Sequence, residues 1–295
     1  MSWGPHQSRA FQAISDVLNH HGLEWLILRN HQGLPDSNRS KDVDLGLEKS
    51  DFIRAEQLIS NAVKNVGFTH VAIEDFQYVR CLTYFGVFDG EAESIKIDLL
   101  DGFVFRGAQL FDFATLNEKS CIYGQYRIPS KVDDAVMLWI KPLMTGGFIK
   151  EKYIPDIEEQ LIGNPEAFYA VLSRVFSSAV SDHVQEVIER GDGLKSTVPL
   201  QAMLRQRAWM TSFKREPLAT VRNALNHFYS EISRRIKKPT GAVFGVTTGV
   251  QSSREPFIEA LCNALADLQV KERSAYQIVR LPSVTRGDGI KKRLR

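Results

Sequence analysis

The stretch Ser40-Lys41-Asp42-Val43-Asp44-Leu45 decides the fold expected for this chain. Acidic and apolar residues alternate in it, which is the pattern of a β-strand. Side chains on a strand point alternately to opposite faces, so Asp42 and Asp44 share one face. Val43 and Leu45 then face the core. Two carboxylates this close repel each other unless a cation lies between them, so the pattern predicts a cation site on this strand.

A second predicted strand, Ile95–Leu100, offers a third carboxylate at Asp98. A lone charge in such an apolar strand would be costly. Mg²⁺ is a hard cation that takes oxygen ligands and keeps positions open for phosphates, so three carboxylates on neighbouring strands predict a magnesium site. Two plainer interpretations stay open. Alternating acids also occur on surface strands, and Asp98 could instead cap the turn that follows.

The pattern of the chain predicts an α+β protein in three parts. These are a mixed sheet with helices over residues 1–130, a helical domain over 131–238, and a short βαβ-like segment over 239–295. The first part contains predicted helices and strands at Arg9–His21, Trp25–Leu28, Asp42–Leu45, Asp51–Val66, Tyr78–Phe85, Ile95–Leu100, Cys121–Tyr123 and Tyr126–Ile128. A turn is predicted at Gly86–Gly90. The helices of the second part are expected to break at Gly146-Gly147, Asn164-Pro165, Gly191–Gly193 and Glu216-Pro217.

Length and composition argue against several classes of protein. The chain has 295 residues, of which 43% are hydrophobic and 24% charged, so it can bury a core. No run of about 18 apolar residues is present, and the first ten residues do not resemble a secretory signal. The three cysteines are far apart, without a CxxC pattern. We therefore expect a cytoplasmic protein with no membrane span and no disulfide scaffold.

The charge is unevenly distributed along the chain. Residues 201–295 contain 18 Lys and Arg against 7 Asp and Glu, whereas residues 1–200 contain 19 against 28. The basic C-terminal third could meet a polyanion such as RNA or DNA. Aromatic residues are not interleaved with the basic ones as stacking platforms, so binding of nucleic acid has little support.

The order of these features resembles the nucleotidyltransferase superfamily with the DNA polymerase beta-like fold. Its members have a helix, a strand, a Gly-Ser turn, a D-x-D strand and a third acid on a later strand. The corresponding parts of this chain are Trp25–Leu28, Asp42, Asp44 and Asp98, and the resemblance covers roughly residues 9–100.

One departure from the family pattern lies at the turn. Leu28-Arg29-Asn30 replaces the Gly-Ser turn that helps to hold the triphosphate. A similar Leu-Arg turn, followed by a Leu-Pro loop and Ser-x-Asp-x-Asp, marks a bacterial subfamily often encoded near surface-polysaccharide genes. Leu34-Pro35 and Ser40–Asp44 fit this variant. Arg29 could then bind phosphate, or it could be an ordinary cation at a strand end.

The resemblance implies Mg²⁺-dependent transfer of a nucleoside monophosphate from an NTP, for example ATP, to an acceptor. Asp42 and Asp44 would bind two metal ions. Asp98 would complete the metal site and act as general base. The side chains expected near the triphosphate are Arg29, Ser40, Lys41 and Lys96. Lys96 shares a strand face with Asp98 and could neutralise it or reach a phosphate.

The C-terminal segment resembles a thymidylate-kinase-like P-loop that has lost its function. Many members of the subfamily continue from an Arg-rich helix into such a domain, and here Arg234–Gly241 leads into a strand and Gly245–Ser253. Val250 and Gln251 replace the second glycine and the lysine of GxxxxGK[ST]. We expect a degenerate segment used for packing, with a residual anion site as the alternative.

Two other functions stay open at this point. The missing Gly-Ser turn and the broken P-loop are also expected of a catalytically inactive protein that binds a nucleotide or a partner, as an accessory in surface-polysaccharide biosynthesis would. A nucleic-acid-binding accessory protein is the third hypothesis. The acceptor, the preferred nucleotide and the oligomeric state do not follow from the sequence.

Overall fold

The computed structural model describes residues 3–236, apart from residues 39, 41, 77 and 192. The described chain has the predicted α+β class, with a mixed sheet and many helices. Lys41 and the predicted segment 239–295 lie outside the described residues. The predicted division into domains at residues 130 and 238 stays a prediction.

A five-stranded mixed sheet organises the N-terminal half. Its strands are β1 (Leu26–Ile27), β2 (Asp42–Gly46), β3 (Thr69–Phe76), β4 (Val79–Phe88) and β5 (Glu91–Leu100). They lie in the order β1-β2-β5-β4-β3. The pairs β1–β2 and β3–β4 are antiparallel, whereas β2 and β5 are parallel neighbours. The two strands that carry the predicted acids are therefore adjacent, although about fifty residues separate them along the chain.

Helices and two small hairpins complete the described chain. The helices are α1 (Pro5–His20), α2 (Phe52–Asn65), α3 (Phe113–Glu118), α4 (Lys131–Gly146), α5 (Ile154–Gly163), α6 (Pro165–Val175), α7 (Ser178–Arg190), α8 (Gln201–Arg215) and α9 (Pro217–Ile236). The hairpins pair β6 (Phe103–Phe105) with β7 (Ala108–Phe111), and β8 (Cys121–Tyr123) with β9 (Tyr126–Ile128). No described helix is both long and apolar enough to cross a bilayer.

The predicted helix breaks in residues 131–236 are confirmed. The helix α4 ends at Gly146, and Gly147 follows with a φ of 73°. Its amide donates to the carbonyl of Leu143 at 3.0 Å, a common way to close a helix. Further along, α6 begins at Pro165 and α9 at Pro217, each just after the preceding helix has ended. Proline suits the first turn of a helix because its missing N–H has no partner there anyway.

Two apolar cores cover opposite faces of the sheet. On one face α1 and α2 pack through residues at helical spacing, such as Phe11, Ile14 and Leu18 of α1, against alternate strand residues including Val43 and Leu45. The other core contains Leu28, Leu100 and the hairpin β6–β7, together with α4 and the helices after it. Because the strand residues alternate, Asp42, Asp44 and Asp98 point toward this second side.

One strand, one hairpin and one short helix were not predicted, and one turn was wrong in extent. The strand β3 exposes Val71 and Ile73, so its sequence does not show a clear buried face. The hairpin β6–β7 and the short helix α3 were also missed. The turn predicted at Gly86–Gly90 is shorter, because β4 continues to Phe88 and only Asp89 and Gly90 take positive φ values, 51° and 85°.

Candidate functional site

The register of β2 and β5 brings the predicted acids together. In this parallel pair Asp44 lies opposite Asp98, and Asp42 lies opposite Lys96. All four side chains project from the same face of the sheet, because they occupy alternate positions on both strands. Asp44 is only 2% exposed and Asp98 only 8%. The sequence-based prediction of one acidic cluster on adjacent strands is thus matched by the geometry, while the role of each residue stays a prediction.

Arg29 neutralises Asp44 with two parallel contacts. Its Nε lies 2.5 Å from Oδ2 and its Nη2 donates to Oδ1 at 3.1 Å. The Nζ of Lys141 is 3.6 Å from the same Oδ1. Burial favours the neutral carboxyl, but the charges of Arg29 and Lys141 outweigh it and lower the pKa of Asp44 to about 2. Both oxygens of this carboxylate are therefore already held by cations of the protein.

Asp98 is less compensated than Asp44. Its Oδ1 is buried without a hydrogen-bond partner, and the nearest cation is the Nζ of Lys96 at 3.8 Å. Burial, and then the negative charge of Asp44, raise the pKa of Asp98 to about 6. Asp98 can therefore take up a proton at nearly neutral pH, whereas its neighbour Asp44 cannot.

Asp42 and Ser40 lie together at the start of β2. The hydroxyl of Ser40 donates to Oδ1 of Asp42. The Ser40 amide donates to Asn38 Oδ1 at 2.8 Å, and Asn38 in turn donates from its side-chain amide to the Asp42 carbonyl at 3.1 Å. These bonds tie Asn38 and Ser40 to Asp42, so that a hydroxyl lies beside a half-buried carboxylate. Both were predicted site residues, and they lie together.

The position of Arg29 follows from the edge of the sheet. The amide of Leu28 donates to the Asp44 carbonyl at 2.9 Å, which extends the pairing of β1 with β2 by one residue. Arg29 comes next and reaches along β2 to the carboxylate. Asn30 then turns the chain with a φ of 57°, and the Tyr153 hydroxyl donates to its Oδ1 at 2.9 Å. Few side chains other than Asn take this backbone conformation readily.

Lys141 is a site residue that sequence reasoning missed. It lies on α4 and comes within 5.8 Å of the centre of the Phe103 ring, in addition to its contact with Asp44. Burial, followed by the charge of Arg29, lowers the pKa of Lys141. The signal was present in the sequence, since Lys141 interrupts an otherwise apolar run from Ala135 to Met144. The argument that singled out Asp98 applies equally to this lysine.

A second polar group adjoins the first through α4. Asp134 lies seven residues before Lys141, on the same side of the helix. Its Oδ2 is 3.9 Å from Nδ1 of His31, which follows Asn30 in the loop after β1. Burial, and then the charge of Asp156, raise the pKa of Asp134 to about 7. The sequence analysis named neither Asp134 nor His31 as a site residue.

The cluster fits a divalent cation in its residue types but not in its arrangement. Carboxylate oxygens suit Mg²⁺, and the buried Oδ1 of Asp98 lacks a hydrogen-bond partner. However, no three His, Cys, Asp or Glu side chains among the described residues are grouped as a metal site. At Asp44, moreover, Arg29 and Lys141 already balance the charge that a metal ion would balance.

A separate groove of about 530 Å³ lies elsewhere in the described chain. Arg106 and Arg205 line it and approach the Phe105 ring to 5.4 and 5.5 Å. Trp209 and Phe213 complete its apolar wall. The acids of β2 and β5 do not line this groove, so it is distinct from the acidic cluster.

Comparison with known proteins gives weak similarities of structure. No protein-family model matches the chain, and no curated protein matches it. JHP933 from Helicobacter pylori has 16% identity and a TM-score of 0.36, over 74% of this chain and 96% of that one. A candidate nucleotidyltransferase from H. pylori has 15% identity and a TM-score of 0.39, over 72% and 99%. A candidate nucleotidyltransferase from Thermotoga maritima has 15% identity and a TM-score of 0.27, over 56% and 92%. Similarity of this extent assigns no activity to the chain.

Proposed function

We propose that the chain is a nucleotidyltransferase that moves a nucleoside monophosphate from an NTP to an acceptor. The observation that carries the proposal is the register of β2 and β5, which sets Asp44 beside Asp98. Cations surround this pair, since Arg29, Lys141 and Lys96 all lie within 4 Å of one of the two carboxylates. Acids for catalysis and cations for a polyphosphate thus share one face of the sheet.

The cations provide the proposed contacts to the triphosphate. A guanidinium binds phosphate with two parallel hydrogen bonds, and an ammonium acts as a point charge. Arg29 and Lys141 are held near the acids by the sheet edge and by α4, two regular elements, which supports precise positioning. Ser40 offers a hydroxyl beside Asp42, and Lys96 lies beside Asp98. Lys41 belongs to the same loop in sequence and keeps its proposed role as a phosphate contact.

The proposed reaction is an attack of the acceptor oxygen on the α-phosphorus of the NTP. A bond forms between these atoms, the bond from the α-phosphorus to the bridging oxygen breaks, and pyrophosphate leaves. If the acceptor is a hydroxyl, its proton passes to Oδ1 of Asp98, which has no hydrogen-bond partner. A pKa of about 6 suits this task, because a general base works best when its pKa lies near the working pH.

Dependence on Mg²⁺ belongs to the proposal as well, but no step above passes through the metal. The sequence analysis expects two ions held by Asp42, Asp44 and Asp98. The contacts of Arg29 with both oxygens of Asp44 stand against this arrangement. A divalent ion can therefore bind Asp44 in this arrangement only after Arg29 has moved away.

The same contacts favour a second candidate, a protein that binds a nucleotide without turnover. Arg29 and Lys141 neutralise Asp44 with no metal ion, so this carboxylate does not need a metal ion to balance its charge. A site of this kind could hold a polyphosphate through its cations alone. The two candidates agree on binding and differ in whether pyrophosphate is released.

Pyrophosphate release separates the two candidates. Each of the four ribonucleoside triphosphates is incubated with Mg²⁺, the protein and a small-molecule cell extract as the source of acceptor, and pyrophosphate is measured for the wild type, Asp98→Asn and Asp101→Asn. Asp101 is a matched control, since it lies just after β5 and its pKa is also raised to about 6, chiefly by burial. We expect release by the wild type and the control and none by Asp98→Asn. Equal release by all three contradicts the catalytic role, and binding without release supports the second candidate.

A further inference from the structure

We infer that Arg29 is the resident counter-ion of Asp44 and that a divalent cation reaches this carboxylate only after an anion draws Arg29 away. The anion is taken to be a polyphosphate, and that identification rests on the proposed function. The inference concerns the order in which ligands enter the site. It makes Arg29 a gate for the metal in addition to a phosphate contact.

The geometry of the pair supports the first half of the inference. Arg29 donates from Nε and Nη2 to the two oxygens of Asp44, so a metal ion at either oxygen would meet the positive charge of the guanidinium. The Arg29 side chain is 17% exposed and that of Asp44 only 2%, so solvent does little to weaken the pair. A metal ion alone would have to displace a partly buried arginine that already supplies positive charge to this carboxylate.

The surroundings of Asp44 show what the removal of Arg29 would expose. Asp98 lies directly opposite on β5, with one buried oxygen that accepts no hydrogen bond. Asp42 projects from the same face two residues before Asp44. Without Arg29, three carboxylates would remain beside Lys96 and Lys141. Carboxylates this close are stabilised by a cation, so the vacated position would attract a divalent ion.

An anion can compete for Arg29 because its planar group fits phosphate as well as carboxylate. A triphosphate carries several oxygens and more charge than one carboxylate, and it binds guanidinium in the same two-point manner. Lys141 contacts Asp44 at 3.6 Å and would face the same anion. When both cations turn to the phosphates, the oxygens of Asp44 become available. Nucleotide and metal should therefore bind with positive coupling.

The test measures binding of Mn²⁺ alone, in the absence of nucleotide. Free Mn²⁺ is followed by its electron paramagnetic resonance signal for the wild type, Arg29→Gln and Arg80→Gln. Arg80 is the matched control, since it is 15% exposed and its Nε lies 2.5 Å from Oε2 of Glu56, away from the cluster. We expect weak binding by the wild type and Arg80→Gln and about tenfold tighter binding by Arg29→Gln.

Further variants keep the test decisive. Adding Asp44→Asn to Arg29→Gln should abolish the gain, because the exposed ligand is then lost. If Arg29→Gln does not fold, as judged by circular dichroism, Arg29→Lys replaces it, since one ammonium cannot hold both oxygens. Tight binding by the wild type overturns the inference, and so does an equal gain in Arg29→Gln and Arg80→Gln, which would reflect net charge only.

The outcome is distinguishable from failure of the proposed function. A gain in Mn²⁺ affinity confined to Arg29→Gln supports the counter-ion role even if no NTP is turned over. Normal turnover without that gain rejects the gate while leaving the proposed activity in place. The anion is tested separately by titrating pyrophosphate without metal. Arg29→Gln should bind it about tenfold more weakly than the wild type, and equal binding contradicts the second half of the inference.

Discussion

Replacing Asp98 with asparagine should make the protein more stable at alkaline pH while it removes the proposed activity. In the folded protein the pKa of Asp98 is raised from 3.8 to about 6, because burial and the charge of Asp44 disfavour the carboxylate. This difference lowers the free energy of unfolding by about 3 kcal/mol at a pH at which the carboxyl is ionised in both the folded and the unfolded chain. Asparagine has a similar shape and no charge, so the variant escapes this penalty.

The sign of the effect sets the pH window. Below pH 3.8 the carboxyl is protonated in the folded and unfolded chains, and its contribution vanishes. As the pH rises through about 6 the folded protein must give up a proton that it holds more tightly than the unfolded chain, so the wild type loses stability. Loss of the contact with Lys96 at 3.8 Å offsets part of the gain in the variant. We therefore expect Asp98→Asn to be stabilised by about 1–3 kcal/mol at pH 8.

The assay is thermal unfolding of the wild type and Asp98→Asn at pH 8 and at pH 4. About 2 °C of Tm per kcal/mol is typical of a chain of this size, so the variant should unfold about 2–6 °C higher at pH 8. At pH 4 the two proteins should differ little. A variant that is less stable at pH 8, or a difference that does not change with pH, would refute the reasoning that Asp98 is an uncompensated buried acid.

Three further predictions concern residues around this acid. Asp44→Asn should lower the free energy of unfolding by about 3–5 kcal/mol at pH 7, because it leaves the buried Arg29 without its partner, and urea unfolding measures the change. The pKa of Asp44 is lowered to about 2, so the wild type should lose this contribution as the pH falls from about 4 toward 2. Asp134→Asn should be more stable than the wild type at pH 8 by about 1–4 kcal/mol, and by less at pH 5, because burial raises the pKa of Asp134 to about 7. Equal stabilities of the two proteins at pH 8 would contradict this prediction. Tyr153→Phe should cost about 1 kcal/mol in thermal unfolding through the lost hydrogen bond to Asn30, and a neutral effect would show that this bond is not needed.

The sequence predicts the acidic strands well because their signal is local. Alternation in Ser40–Leu45 sets the shared face of Asp42 and Asp44, and an apolar strand around Asp98 marks a charge that needs a partner. These two arguments do not state that β2 and β5 are neighbours. The adjacency was expected because a magnesium site needs a further carboxylate close by, and in the structure Asp44 lies opposite Asp98.

The counter-ions could not be predicted with the same success, because they come from distant parts of the chain. Lys141 reaches Asp44 from α4, and a long-range contact of this kind leaves no periodic pattern in the sequence. Arg29 was named as a phosphate contact or a strand-end cation, yet its salt bridge with Asp44 was not foreseen. Strand β3 was missed because of a local feature. Its exposed apolar residues obscure the alternation that marks a half-buried strand.

The measurement that tests the central claim most directly is calorimetric titration of NTPs into the wild type, Lys141→Met and the control Arg80→Gln. Lys141 has no role in the predicted acid set, and its partly buried ammonium lies 3.6 Å from Oδ1 of Asp44. The account predicts that at least one NTP binds the wild type and the control alike and binds Lys141→Met about tenfold more weakly. Binding of no NTP, or equal binding to all three proteins, would contradict a polyphosphate site at the acids of β2 and β5.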